Sequence, residues 1–262
     1  MPHWEVDLNI YGPITVRGEV HLREPKGFRL PEPFQSEIVI RSQHSGVQIA
    51  TTAHASTIQN ARKVSLVFIG YMLDTLTLHI DLPIFLNYTS IRTVRGDNYT
   101  ERRIITELEW HEAFCEARLL AMSEPVFLRA LGWYRKGLYT EDSLDSFLAF
   151  WNSIEIVVAK YHPDNDEAKK GSKSQMWECF KQIWGECGKW PEIAGQTKWI
   201  DNNYDARLAV AHGTQPITVE SVEDIIGKLP VIRKVAHAFL LTWRETQLRI
   251  EIPPEMHQQI GY

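Results

Sequence analysis

Apolar and polar side chains alternate with a period of two at the start of the chain. Trp4, Val6, Leu8 and Ile10 are separated by polar residues, and Ile14, Val16, Val20 and Leu22 repeat the pattern beyond Tyr11-Gly12-Pro13. Such alternation predicts half-buried strands, so the two segments read as a β-hairpin turning at residues 11–13. Further strands are predicted at 37–41, 47–51 and 76–82, the last from apolar positions at Leu76, Leu78, Ile80 and Leu82. A Pro- and Gly-containing segment at 25–33 and a helix over about 53–73 separate them.

Near residue 108 the period lengthens to that of a helix. Helices are predicted at about 109–122, 125–136, 143–161, 174–186, 196–212 and 219–248, the last interrupted at Gly227 and Pro230. The chain therefore reads as an α+β N-terminal domain, residues 1–108, followed by an all-α helical bundle, residues 109–262. Seven of the nine Trp lie beyond Trp110, which predicts a Trp-rich bundle core rather than a platform for stacking bases.

Composition narrows the function classes. With 262 residues and 44% apolar side chains, the chain can bury a substantial core. It shows no run of about eighteen apolar residues and no basic, apolar leader, so the cytoplasm is the expected location and no membrane partner is expected. Cys115, Cys179 and Cys187 form no Cys-x-x-Cys pair, so no metal and no redox cofactor is expected. The net charge of −5 argues against a broad nucleic-acid platform; any RNA would be gripped locally by a few cations. Residues 1–108 hold no glycine-rich phosphate loop and no nucleophile elbow, and no chemistry is assigned to them.

Candidate chemistry concentrates in the bundle. Arg207 and His212 close the helix predicted at 196–212, and Gly213 follows as a residue able to take the left-handed cap conformation. An Arg can hold a phosphodiester while an imidazole moves a proton, so the pair suits RNA cleavage without a cofactor. Five residues place the two about 140° apart around a regular helix, so sharing one face requires the last turn to loosen. A His at a helix C-terminus also stabilises that end by interacting with the helix dipole, with no catalytic role. On the helix at 143–161, Glu155 falls in a stripe with Leu144, Leu148, Trp151 and Val158. A carboxylate there needs a cation from another helix, and Arg207 is the expected partner, either to orient the Arg or as a packing ion pair alone.

Two segments together resemble a known family. Phe147-Leu148-Ala149-Phe150-Trp151-Asn152-Ser153-Ile154-Glu155 and Asp205-Ala206-Arg207-Leu208-Ala209-Val210-Ala211-His212-Gly213 resemble the HEPN superfamily, nearest to its ApeA-like and methylamine-utilisation J-like branches, over roughly residues 120–250. The resemblance implies an all-α HEPN-type bundle forming a homodimer. It also implies a metal-independent endoribonuclease that cuts single-stranded RNA, not DNA, in phage defence or toxin systems. Carried over, Arg207 and His212 are the catalytic pair, and Glu155 and Asn152 orient it. Leu208 departs from active members, which often carry a polar residue there, so the alternative is a catalytically inactive dimer acting as a binding or scaffold module. His162-Pro163-Asp164 is similar to the loop of J-domain co-chaperones. The preceding helix, however, offers Lys160 beside Asp145 and Glu155 rather than a basic face, so 164–174 is read as an exposed loop.

Overall fold

Strand β1 (His3–Tyr11) is an interior strand of a five-stranded antiparallel sheet in the computed structural model, which describes residues 2–23, 34–87, 101–212 and 218–252. Its neighbours are β5 (Gly46–His54) on one side and β6 (Phe85–Leu86) on the other, and β4 (Phe34–Gln43) and β3 (Val20–Arg23) continue the sheet beyond β5. Val6, Leu8 and Ile10 point inward opposite Thr51, Ile49 and Val47, while Glu5 and Asp7 face solvent, as the period of two requires.

The hairpin expected between the first two strand segments does not form. Both edges of β1 are occupied, by β5 along its whole length and by β6 at Ile10 and Tyr11. The Gly12 N–H donates to Ser45 O at 3.0 Å, and the chain then leaves the sheet. β2 (Ile14–Thr15) pairs in parallel with β7 (Arg103–Ile104), and β3 pairs with β4. The hairpin is instead β4–β5. Its return at Gly46 (φ +149°) passes so close to β1 that a Cβ there would lie 2.1 Å from Ile10 O.

Residues 76–80 are helical rather than extended. Helix α1 (Ile58–Ile80) begins at Thr57, whose hydroxyl accepts the Asn60 N–H at 3.2 Å, and ends at Asp81 in the left-handed conformation. Residues 72–78 are buried on every side between the sheet and α2 (Glu107–Ser123), so a period of two and a period of 3.6 fit the same apolar run. Ile69, Met72, Leu73 and Leu76 join the sheet's inward residues in one core. α1 is also long and apolar enough to cross a membrane by length and composition, but most of that stretch is buried in this core.

α2 packs on α1, with Phe68 and Phe114 edge to face at 5.5 Å and Arg118 over both rings. The two units of the chain divide between Ser123 and Glu124, so α2, where the helical period begins, lies in the first unit.

The second unit, Glu124–Ile250, is all helical: α3 (Pro125–Tyr139), α4 (Ser143–Tyr161), α5 (Ser172–Trp184), α6 (Trp199–His212) and α7 (Val219–Trp243). Pro125 supplies a preset first turn for α3, and the Asp142 carboxylate accepts the Leu144 and Asp145 N–H groups at 2.9 Å to start α4. His162 and Pro163 end α4, and the co-chaperone-like tripeptide lies in the connection that follows. Phe180 is the centre of the aromatic core, 5.2 Å from Phe239 and 6.1 Å from Trp199, and Trp199 lies 6.1 Å from Trp151. α7 runs unbroken through Gly227 and Pro230, against the expected interruption. Pro230 and Ile226, whose carbonyl loses its helical donor, are both exposed, so water can satisfy that group.

Candidate functional site

α4 and α6 cross through a ladder of side chains set by their helical spacing. Trp151 on α4 packs against Trp199 at 6.1 Å and Tyr204 at 6.3 Å on α6; one turn further along each helix, Glu155 meets Arg207. Arg207 Nη2 donates to Glu155 Oε2 at 3.1 Å. The two side chains retain 23% and 25% exposure, so the carboxylate sits at the rim of the apolar stripe rather than beneath it. Water reaches the pair, which lowers both its desolvation penalty and its contribution to stability. Arg207 Nε, by contrast, is enclosed and has no acceptor. Asn152, three residues before Glu155 on α4, is half-buried on the same side of that helix.

α6 remains α-helical through His212. The backbone therefore does not loosen before that residue, and positions 207 and 212 stay about 140° apart around the helix. The His212 side chain and the expected cap at Gly213 lie outside the described residues. Among the catalytic and orienting candidates, the structure thus brings Arg207 to Glu155, with Asn152 alongside, and does not bring positions 207 and 212 onto one face of α6.

A second cation, packed against this helix from α5, was not singled out from the sequence. Lys173 of α5 donates to Asp205 at 2.9 Å, lies 3.3 Å from Asp201, and sits 5.1 Å over the Tyr204 ring. The hydrogen bond to Asp205, with further help from Asp201, holds its ammonium above the ordinary lysine range despite some desolvation. The signal was present as two carboxylates four residues apart, Asp201 and Asp205, on one face of α6. Lys173 neutralises these two carboxylates one turn from Arg207.

Residues 130–241 match the family model of methylamine utilization protein MauJ. The match lies within the helical unit and includes Glu155, Arg207 and His212, so this part of the chain is MauJ-like. No curated protein and no solved structure matches the chain.

Proposed function

We propose that this MauJ-like helical unit is the catalytic body of a HEPN-type endoribonuclease that cuts single-stranded RNA as a homodimer. The observation that carries the reading is the Glu155–Arg207 pair at the α4–α6 crossing. One carboxylate oxygen restrains one guanidinium nitrogen from the side, at a position where solvent still reaches the Arg. A guanidinium held in this way can receive a phosphodiester and stabilise charge developing on it. His212 then removes the proton from the 2′-hydroxyl as that oxygen attacks the phosphorus. The P–O5′ bond breaks, a protonated imidazole returns a proton to the leaving oxygen, and the products are a 2′,3′-cyclic phosphate and a 5′-hydroxyl. DNA lacks the attacking hydroxyl and is spared.

The helical phase of α6 supports a dimer. Positions 207 and 212 lie about 140° apart around α6, and the complete site in this reading combines Arg207 of one protomer with His212 of its partner, as the HEPN resemblance implies. A catalytically inactive HEPN dimer is the second reading, favoured by Leu208 directly after the Arg and by the carboxylate already on Arg207.

The test is incubation of unstructured RNA with the purified protein in excess EDTA near neutral pH. His212→Ala and Arg207→Ala each lower the rate by about 10²- to 10⁴-fold, and RNA affinity falls more for the Arg change. Cleavage undiminished in His212→Ala would overturn the assignment, and RNA left intact by the wild type would favour the inactive dimer.

A further inference from the structure

Trp133 stands apart from the other tryptophans of the helical unit. Trp151, Trp177, Trp184, Trp190, Trp199 and Trp243 each pack against another aromatic ring. Trp133, half-buried on α3, has no ring partner and no acceptor for its indole N–H among the described residues. Its close neighbour is a cation, Lys136, whose Nζ lies 4.8 Å from the ring centroid.

Helical spacing adds a second cation. Arg129, Trp133 and Lys136 are four and three residues apart, which puts them within about 60° of one another around α3 and the two cations about 10 Å apart along its axis. Arg129 is exposed and the other two are half-buried, so this is the face of α3 turned to solvent. Neither Arg129 nor Lys136 has an ion-pair partner among the described residues, whereas Lys173, Arg207, Lys228 and Lys234 of the same unit are each matched by a carboxylate. α3 itself contains no Asp or Glu. The carboxylates that flank it are engaged: Glu124 accepts from the Tyr161 hydroxyl at 2.6 Å, Asp142 caps α4, and Glu141 has a partner of its own. In a chain of net charge −5, this face is therefore positive and free of acids, with an aromatic ring between its two cations.

We propose that this face of α3 holds single-stranded RNA, with a base stacked on Trp133 and the phosphates on either side of it held by Arg129 and Lys136. The ring selects a single strand, because a duplex hides the faces of its bases. An ammonium over an exposed ring is a weak contact, and a phosphate beside a stacked base offers both groups a stronger one. α3 and α6 both pack on α4, so the platform and Arg207 belong to one helical unit. The inference rests on the ribonuclease reading for the choice of RNA and gives that RNA a grip on a second helix, but binding there does not require cleavage.

The test is fluorescence anisotropy of the full chain with a labelled 2′-O-methyl oligouridine, which lacks the attacking hydroxyl and stays intact whether or not the protein cleaves RNA. Trp133→Ala weakens binding about tenfold and leaves the slope of log affinity against log salt unchanged, while Trp133→Phe, which keeps a ring in place, stays within about threefold of the wild type. Arg129→Ala combined with Lys136→Ala lowers that slope by about 1.4, or about 0.7 for each phosphate contact removed. The proposal is overturned if the oligonucleotide does not bind saturably, if Trp133→Ala binds it as the wild type does, or if the double change leaves the salt slope as it was. Binding that follows these expectations without cleavage of ordinary RNA would strike the ribonuclease reading alone; cleavage with binding indifferent to all three residues would strike this proposal alone.

Discussion

Glu155 Oε2 accepts one hydrogen bond from Arg207 Nη2 at 3.1 Å, while the Nε–H of the same guanidinium is enclosed without an acceptor. The carboxylate thus holds the Arg from one side instead of gripping it through two parallel bonds. A residue serving only to lock α4 to α6 would gain more from the two-bond arrangement. The half-satisfied one leaves the Arg able to exchange partners when a phosphate arrives.

Glu155→Gln keeps the shape and weakens the charge at this contact. Because water reaches both side chains, the loss of stability is modest, about 0.5–1.5 kcal/mol, read as a lower urea midpoint at unchanged slope. RNA cleavage should fall through kcat more than through KM, because the guanidinium is then oriented less well. Unaltered kinetics alongside the lower midpoint would reduce Glu155 to a packing role.

Subunit mixing tests the composite site. Arg207→Ala and His212→Ala homodimers are each inactive, but random exchange makes about half of all dimers mixed, and one of the two sites in each mixed dimer carries both residues. About a quarter of wild-type activity should return on mixing. No recovery after verified exchange would place Arg and His in one protomer.

In the first unit, Gly46→Ala should be among the most damaging small substitutions. The added methyl would lie 2.1 Å from Ile10 O in a backbone conformation that L side chains rarely adopt. The β4–β5 return must then move away from β1, at a cost of roughly 2–4 kcal/mol, visible as a large drop in melting temperature. An unchanged midpoint would show that the return shifts freely.

The thiols predict both reactivity and pH dependence. Burial pushes Cys115 and Cys179 up to about 12, whereas Cys187 is half-buried, so at pH 8 the folded protein should consume about one equivalent of a thiol reagent and the unfolded protein three. The folded state holds the two buried protons more tightly than the unfolded chain, whose thiols ionise near 8.5. Their contribution is therefore fully present below that pH and is lost progressively between about 8.5 and 12. Denaturation midpoints that do not fall in this range after Cys187→Ser would contradict the assignment.

The helical unit was legible in the sequence wherever local signals and long-range packing agree. Asp142 and His162-Pro163 bound α4 at the expected residues, because a carboxylate at the start and a Pro at the end act on the backbone next to them. Even the Glu155–Arg207 pair, 52 residues apart, could be read, since a carboxylate in an apolar stripe demands a cation. The strands at 3–11, 34–43 and 46–54 lie close to where alternation puts them, but the segment expected as one strand over 14–22 splits into β2 and β3 and pairs elsewhere. Alternation shows which face of a strand is buried and says nothing about its neighbour, and both edges of β1 are taken by β5 and β6, which leaves none for residues 14–22. Residues 76–80 failed for a related reason. Where a helix is enclosed on all sides, its apolar run no longer carries a period, and only the tertiary structure decides between strand and helix. The ion-paired Lys173 and the enclosed Arg207 Nε were likewise invisible in the chain, because each is a property of which groups meet in space, and spacing along one helix does not fix what another helix brings to it.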